Sequence, residues 1–425
     1  MVEKIKQDNN SPALESTIKR NIILYVTGAL VSNLGTFMYN FAIGLYVLSL
    51  TGSGSTFAIS ILFGMVPRII LSPFAGVLAD KFDRKKMTVC MDLLSGLLLI
   101  GVYTVSRVTP LSLGIIYFSS AMLTVFNTFF GISLGSSIPN LVNKERLVQI
   151  NSLRSMIDSV ASIAGPLMGG IVYSFIGIEY FILLNGISFI CSGISELFIN
   201  FNIHGHKIDV ETQTQSFKDT FKEGITYLKK HELIIGLLKY ILFINFITAS
   251  INISLPYTSV EVLGASSTQY GMIQMGFPVG ILIMSLLYSM MNKDNTKIFK
   301  KTAGSMFYFG IFLMMLGLPS NPILSFLPNE YHMILIFIVS LLLGMIIITI
   351  NIPIMTMMQL TIDDAYRGRV GGVISMMSQG IMPIGILVFG FLVDHISSYL
   401  LPIISGILIL AIATIMMKDK KMLQL

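Results

Sequence analysis

The feature that most constrains this chain is a succession of long apolar segments separated by short polar ones. A hydrocarbon core about 30 Å thick is crossed by roughly 20 residues of α-helix, and inside it every backbone N–H and C=O group must be bonded within the chain. Charged residues make up only 12% of the 425 residues, which is too little charge to cover a water-soluble protein of this size. The sequence therefore predicts an all-α integral membrane protein.

Apolar runs between charged or Pro/Gly breaks predict twelve membrane-spanning helices. The predicted spans lie near residues 21–50, 55–79, 86–106, 111–141, 150–175, 178–199, 233–260, 268–291, 298–318, 331–360, 369–393 and 395–417. The first apolar segment is longer than the core of a signal peptide, so we expect it to stay in the membrane as the first span. We expect two pseudo-symmetric six-helix bundles, residues 1–199 and 233–425, joined by a cytoplasmic linker over residues 200–232.

The linker contains a second kind of pattern. Phe217, Phe221, Ile225 and Leu228 recur at helical spacing, with lysines and acidic residues opposite. Such a segment is typical of a helix with one apolar face. The sequence predicts an amphipathic helix lying on the membrane surface.

Lysine and arginine fall mostly on one side of the predicted membrane. If the N-terminus is inside, only Arg68, Arg107 and Lys239 of the 28 basic residues lie away from inner segments. Positively charged loops are retained in the cytoplasm. We therefore expect a multi-pass protein of the cell membrane with both termini cytoplasmic. The net charge of +6 then reflects topology, and no nucleic-acid partner is expected.

Several chemistries are not indicated. Cys90 and Cys191 are the only cysteines, and both sit in apolar segments, so neither a disulfide framework nor a cysteine metal site is suggested. The sequence has no phosphate-binding loop of the Walker type and no histidine cluster with metal-ligand or nucleophile spacing. We expect no catalytic residues, no metal site and no cofactor, and hence no enzyme.

Short motifs resemble one transporter family. Gly76, Asp80, Arg84 and Lys85 match the loop signature between spans 2 and 3 of the major facilitator superfamily, although Asp83 stands where that signature has a glycine. In span 5, the four residues Gly165, Pro166, Gly169 and Gly170 resemble the antiporter motif of its drug exporters. The stretches 139–153 and 366–370 resemble the macrolide efflux branch of twelve-helix bacterial exporters.

The resemblance implies roles for these two motifs. The Asp80 loop would be a latch that steadies the outward-facing conformation, and the glycines of span 5 would permit a bend and a close helix contact. Two other interpretations remain open. The basic residues of the loop would only fix topology, and the small residues of span 5 would only serve packing.

Ionisable residues inside spans are costly and therefore candidates for function. Arg154 and Asp158 are four residues apart in span 5, so they either neutralise each other or form a proton-coupling site in which Asp158 takes up a proton. Arg68 in span 2 would attract an anionic substrate or pair with a carboxylate. We expect Asp92 and Glu196, near the inner face, to join the loop network rather than to meet substrate.

In the family that this chain resembles, spans 1, 4, 7 and 10 line a central cavity. The candidate cavity residues are Asn33, Phe37, Asn40, Arg68, Asn127, Asn245, Thr248, Asn252, Asn351 and Gln359. Amides, hydroxyls and rings with few fixed charges suit large apolar or amphipathic compounds. The alternative is that the amides bond across helices and stabilise the packing.

These observations favour an exporter of hydrophobic or amphipathic compounds, such as macrolide-like drugs, that works by proton antiport and alternating access. Export rests on the resemblance. The expected partners are a small-molecule substrate, protons and membrane lipids, and we expect a monomer. A siderophore or metabolite exporter and a lysolipid or lipid translocator remain alternatives. A non-transporting sensor is disfavoured because the sequence shows no appended soluble domain.

Overall fold

A computed structural model describes residues 12–143, 146–201, 217–290, 298–324, 326–363 and 366–419. Within these ranges, the side chains of residues 12–14, 73, 76–81, 217–220, 289, 359, 360 and 367 lie outside the description. The part of the chain that is described is helical and contains no β-strand. The helices are α1 Pro12–Thr51, α2 Gly54–Lys81, α3 Arg84–Ser106, α4 Leu113–Leu141, a run Leu147–Glu196, α7 Phe217–Lys230, α8 Glu232–Tyr257, α9 Ser267–Met290, α10 Ile298–Met315, α11 Asn329–Thr361, α12 Arg367–His395 and α13 Leu400–Lys418.

The run Leu147–Glu196 holds two spans. It is 50 residues long, and Gly177 interrupts it with a φ of 73° and a ψ of 173°. A positive φ is adopted readily by glycine because it has no Cβ. We name residues 147–176 α5 and residues 178–196 α6. In the described residues, eleven helices are long and apolar enough to cross a membrane. Because one of them holds two spans, the predicted twelve are confirmed.

Contacts between Cα atoms divide the chain into two compact units. The first unit comprises residues 1–44 and 63–211, and the second comprises residues 45–62 and 212–425. The end of α1 and the start of α2 therefore group with the C-terminal helices. The predicted bundle boundaries at 199 and 233 stay a prediction.

Each unit has its own apolar core. In the first unit, Tyr25 of α1 packs with Phe130 and Leu134 of α4 and with Ile157 of α5. The core of the second unit brings together side chains of α8 to α11 and α13, among them Phe299, Met306, Phe309, Leu343 and Ile409. Because lipid tails are as apolar as these side chains, such cores are held by close packing rather than by transfer out of water.

The amphipathic helix is where the sequence places it, but its apolar face is covered by protein. Tyr227 and Leu228 of α7 are buried in a cluster with Ile362, Val370 and Val373 at the start of α12 and just before it. The expectation that this face lies on the membrane surface is wrong. The apolar face of an amphipathic helix can pack against a lipid surface or in a groove between helices. The periodicity of the sequence does not distinguish these two environments.

Polar contacts fix α7 in this groove. The hydroxyl of Tyr227 donates to Asp363 Oδ2 at 3.0 Å and accepts from the Asp363 backbone N–H at 3.1 Å. Its ring stacks on that of Tyr366 with 4.6 Å between centroids. Arg369 Nη1 lies 2.6 Å from Glu223 Oε2. The helix of the linker is thus tied to the connection between α11 and α12.

Replacing Gly224 by leucine should detach this helix. A Cβ at Gly224 would lie 2.8 Å from Val373 Cγ2 and 3.0 Å from the Arg369 carbonyl O. Overpacking of this kind costs about 1–3 kcal/mol. We expect several-fold faster cleavage by chymotrypsin between residues 217 and 231, measured by limited proteolysis of the purified protein. Thr226→Val on the exposed face is the matched control, and equal cleavage of both variants would contradict the docking.

Candidate functional site

The first site candidate is the seam between α1 and α5. A Cβ at Gly165 would lie 2.5 Å from Phe37 Cβ, and one at Gly169 would lie 3.2 Å from the Met38 carbonyl O. Pro166 and Gly170 are buried as well. Small residues allow helix backbones to approach closely in a membrane. Gly165 and Gly169 therefore form a close contact with α1, and all four motif residues of α5 are buried.

A polar bond continues this seam. Asn33 Nδ2 donates to Asp158 Oδ1 at 2.7 Å. Asn33 and Phe37 are four residues apart on α1, and Asp158 stands seven residues before Gly165, so each pair falls on one helix face. Two candidates proposed for different roles, the amide for the cavity and the carboxylate for coupling, are thus in direct contact.

Arg154 and Asp158 form no ion pair in the described part of the chain. The Arg154 guanidinium instead lies against α4, where a Cβ at Gly135 would meet its Nη1 at 2.6 Å. Both side chains are exposed at the surface of the protein. Spacing alone gives two residues a common face, but their rotamers decide which neighbour they reach. Asp158 is therefore held by an amide rather than by a cation.

The remaining cavity candidates of the first unit differ in exposure. Phe37 is 38% exposed and Asn40 is exposed, whereas Asn33 and Asn127 are half-buried. Arg68 is exposed on α2. The exposed Phe37 ring and Asn40 amide leave this part of α1 able to contact another molecule.

The candidate cavity residues of the second unit are not brought into contact across helices in the described part of the chain. Asn245 Nδ2 donates to the Ile241 carbonyl of its own helix at 2.9 Å, and the Thr248 hydroxyl donates to the Asn245 carbonyl at 3.2 Å. Both side chains are thus bonded within α8, and among the described residues they form no hydrogen bond to another helix. Asn252 and Asn351 are exposed, and the side chain of Gln359 lies outside the described residues.

The loop between α2 and α3 makes bonds to helix ends. Arg84 Nη1 donates to the Ser136 carbonyl at 2.7 Å near the end of α4, and Lys85 Nζ donates to the Ile199 carbonyl at 3.0 Å just after α6. Cations are favoured at helix C-termini, where carbonyl groups lack partners. The side chains of Gly76 and Asp80 lie outside the described residues, so the latch stays a prediction.

Asp83, which replaces the glycine of the loop signature, has a local role. It is the N-cap of α3, and its Oδ1 accepts from the Lys86 backbone N–H at 2.9 Å. Its φ of −62° lies in the ordinary extended region. An aspartate is a preferred N-cap residue, so the substitution stabilises the start of α3 without a left-handed turn.

Two acids of the first unit are fully buried. Asp92 of α3 and Glu196 of α6 are 0% and 1% exposed, and we expected them, near the inner face, to join the loop network rather than to meet substrate. The two residues are 104 positions apart in the sequence, so no local pattern joins them. The only available signal was their place inside apolar segments, which is costly for a carboxylate.

A family model and several relatives match the chain. The model of the Major Facilitator Superfamily matches residues 25–386. A macrolide efflux protein A of Streptococcus pyogenes is 24% identical over 396 residues, which are 91% of this chain and 93% of the relative. A macrolide efflux protein A of Enterococcus faecalis is 25% identical over 338 residues, 79% of this chain and 100% of the relative.

Solved structures share the fold at low identity. A nucleoside transporter superimposes with a TM-score of 0.72 and 12% identity, covering 93% of this chain and 98% of that one. A bacterial homologue of the iron transporter ferroportin, in an inward-facing state, gives a TM-score of 0.69 and 15% identity, covering 93% and 99%. These two proteins are named for chemically different substrates, so the shared fold does not select a substrate.

Proposed function

The chain belongs to the Major Facilitator Superfamily and is a membrane transporter, and from this premise we propose that it exports hydrophobic or amphipathic compounds of the macrolide type in exchange for protons. The observation that carries the proposal is the similarity to two macrolide efflux proteins along most of the chain. The chemistry of α1 supports it, because Phe37 offers an exposed ring and Asn40 an exposed amide on one helix. Large apolar compounds bind through rings and a few polar groups.

Transport in this proposal proceeds by alternating access. The glycine seam between α1 and α5 allows these helices to shift against each other at small steric cost, since no side chain separates them at Gly165 or Gly169. Asn33 and Asp158 lie on the same seam. Protonation of Asp158 would remove the charge that the Asn33 amide stabilises, so we propose this pair as a proton-responsive contact near the substrate.

A lysolipid or lipid translocator is the second candidate, and one cavity favours it. A space of about 470 Å³ is lined by Arg20, Arg84 and Lys85 at the predicted inner end of the first unit, together with Phe198 and Phe201. Basic and aromatic groups suit a phosphate headgroup with an apolar tail. A siderophore or other metabolite exporter remains an alternative that only a substrate screen addresses.

The test is substrate-triggered proton movement in proteoliposomes that contain the purified full chain. The panel consists of macrolides, lipophilic cations, siderophores and lysolipids. We expect macrolides to elicit a proton flux that the other classes do not. Flux with lysolipids alone would favour the second candidate, and transport without any proton flux would end the antiport proposal.

Asp158→Asn tests the role of the α1–α5 contact. The amide keeps the shape of the carboxyl and mimics its neutral form, so binding of a macrolide should persist while its pH-driven accumulation falls several-fold. Accumulation of radiolabelled erythromycin at imposed pH gradients measures the effect. Ser159→Ala, which removes only a hydroxyl bonded to its own helix at the Ser155 carbonyl, is the control. Unchanged accumulation in Asp158→Asn would show that Asp158 has no part in coupling.

A further inference from the structure

A buried polar cluster joins α1, α3 and α6 in the first unit. Its members are Gly28 and Ser32 of α1, Asp92 of α3, and Ser192 and Glu196 of α6. All four polar side chains are at most 3% exposed. The cluster lies inside membrane-spanning helices, where water does not replace missing partners. None of its side chains belongs to the α1–α5 seam.

Three short oxygen contacts run through the cluster in a line. Asp92 Oδ2 lies 2.5 Å from Ser32 Oγ, Ser32 Oγ lies 2.9 Å from Ser192 Oγ, and Ser192 Oγ lies 3.1 Å from the Gly28 carbonyl O. Every such contact between oxygens requires one hydrogen to be attractive. Two serine hydroxyls supply two hydrogens. The third contact therefore needs a hydrogen from the remaining group, the Asp92 carboxyl.

A protonated Asp92 satisfies all three contacts in one direction. Its carboxyl O–H donates to Ser32 Oγ, the Ser32 hydroxyl donates to Ser192 Oγ, and the Ser192 hydroxyl donates to the Gly28 carbonyl. With Asp92 ionised, one of the contacts has no hydrogen and places lone pairs against each other. The distances thus favour the neutral acid, independently of the cost of burying its charge.

Glu196 is the second acid of the cluster and has no hydrogen-bond partner in the described part of the chain. Both its Oε1 and Oε2 are buried without a donor among the described residues, as is Asp92 Oδ1. Glu196 Oε1 lies 3.3 Å from the position that a Cβ on Gly28 would take, so its carboxyl points at α1. An ionised carboxylate without donors in a membrane interior costs several kcal/mol. Burial without donors therefore favours the protonated form of the Glu196 carboxyl.

Among the described residues, no cation pairs with either acid. Within that part of the chain, the titratable group that acts on Glu196 is Asp92, and the groups that act on Asp92 are the hydroxyls of Ser32 and Ser192. On the neighbouring helix ends, Lys85 lies two turns before Asp92 and donates its ammonium to the Ile199 carbonyl. Two like charges facing each other in a low dielectric cannot both persist, so at least one proton must reside here.

We propose that Asp92 and Glu196 form a proton-binding site of the transporter, in which the hydroxyls of Ser32 and Ser192 hydrogen-bond Asp92 to α1. In the step that we propose, a proton from water adds to a carboxylate oxygen of Glu196 and is later lost from that oxygen to water. Asp92 keeps its proton throughout, as its contact with Ser32 requires. The charge inside the first unit therefore differs by one between the two states of Glu196. The role of this site in transport rests on the proposed proton antiport. The binding of a proton at the site does not depend on that proposal.

The site is distinct from the Asn33–Asp158 contact. Asp158 is exposed and accepts from the Asn33 amide, whereas Glu196 is buried and has no donor among the described residues. The three acids therefore have separate roles in the proposal. Glu196 and Asp92 bind a proton inside the first unit, and protonation of Asp158 changes the contact between α1 and α5 near the substrate.

Infrared difference spectroscopy of the purified full chain tests the proton without any transport assay. The wild-type protein at neutral pH should show the C=O stretching band of a protonated carboxyl that shifts in D₂O. We expect this band to lose intensity in Asp92→Asn and in Glu196→Gln and to remain in Glu179→Gln. Glu179 is an exposed carboxylate of α6 that pairs with Arg107 and serves as the matched control. Absence of the band in the wild type overturns the proposal, even if a variant fails to fold.

Transport then separates a proton carrier from a structural acid. In proteoliposomes, Glu196→Gln should keep exchange of internal for external radiolabelled erythromycin, while accumulation driven by a pH gradient falls to the level without a gradient. Retained gradient-driven accumulation in Glu196→Gln overturns the role in coupling. If the wild type shows the infrared band but moves no compound with protons, the site stands and the antiport proposal fails.

Discussion

Replacing Gly344 by valine should destabilise the C-terminal unit more than any other single change considered. A Cβ at Gly344 of α11 would overlap the carbonyl O of Phe277 on α9, and a Cβ at Gly280 of α9 would overlap the carbonyl O of Leu341. The clash is with backbone on both sides, so no rotamer change relieves it. The helices would have to separate, with loss of packing along their whole contact.

The size of this effect follows from how the two helices are held. Overpacking costs about 1–3 kcal/mol in water-soluble cores and occasionally more. In a membrane the contact depends on close packing, because lipid replaces any apolar surface that is lost. We therefore expect Gly344→Val to cost ~3 kcal/mol or more. Thermal unfolding of the purified protein in detergent, followed by circular dichroism, measures the loss.

Gly304→Val is the matched control for this prediction. Gly304 lies on α10 in the same unit, and a Cβ built there meets no atom within 4 Å. The backbone entropy that glycine loses on folding is the same at both sites. A control that unfolds as early as Gly344→Val would mean that the valine itself, and not the α9–α11 contact, is responsible.

The second large effect is expected at Asp394, at the end of α12. Its carboxylate accepts three hydrogen bonds at the start of α2. Oδ1 accepts from the Gly54 N–H at 2.6 Å, and Oδ2 accepts from the Ser55 N–H at 2.9 Å and from the Ser53 hydroxyl at 3.0 Å. A negative charge at a helix N-terminus is favoured by the orphan N–H groups and by the helix dipole. Asp394 thus caps a helix other than its own.

Close packing reinforces this cap. A Cβ at Gly390 would lie 2.9 Å from the Gly54 carbonyl O and would overlap the side chain of Ala58. Residues 53–58 and 390–394 both lie within the second unit, so the contact is internal to it. Asp394→Ala leaves two buried or half-buried backbone donors without an acceptor, at a cost of about 1–3 kcal/mol.

Hydrogen exchange of the Gly54 and Ser55 amides measures the loss of the cap. Local opening that is easier by this amount speeds exchange roughly 5- to 150-fold. Asp394→Asn should fall in between, because it keeps one acceptor oxygen and loses the charge. Glu330→Gln, an exposed carboxylate in the first turn of α11, is the control. Unchanged protection in Asp394→Ala would refute the capping role.

The twelve spans were predictable because the length and polarity of a membrane helix are properties of the local sequence. The same holds for the glycines of α5, since small residues at i and i+4 predict a close contact without naming the partner. The partner, α1, required the structure. For the same reason the contact between Gly344 and Gly280 was not predicted from the sequence. Gly276 and Gly280 are four residues apart, as Gly165 and Gly169 are, but this spacing does not name α11 as the partner.

The polar contacts were harder to predict. Arg154 and Asp158 have the spacing of an ion pair, yet Asp158 bonds Asn33, because the choice depends on which helix packs beside α5. Asp92 and Glu196 meet across α3 and α6, and Asp394 caps a helix that begins 340 residues earlier. For α7, the amphipathic periodicity predicted the helix. Its sequence did not predict that the apolar face packs in the groove at the start of α12.

The single residue that joins α5 to α6 constrains how the chain enters the bilayer. Gly177 alone departs from helical geometry between residue 147 and residue 196, so the two spans share no polar loop that could stay behind on the far side. A lone span 5 would have nothing hydrophilic at its tip to hold it across the membrane. We expect residues 147–196 to be inserted during synthesis as one helical hairpin, committed only after the second span has left the ribosome.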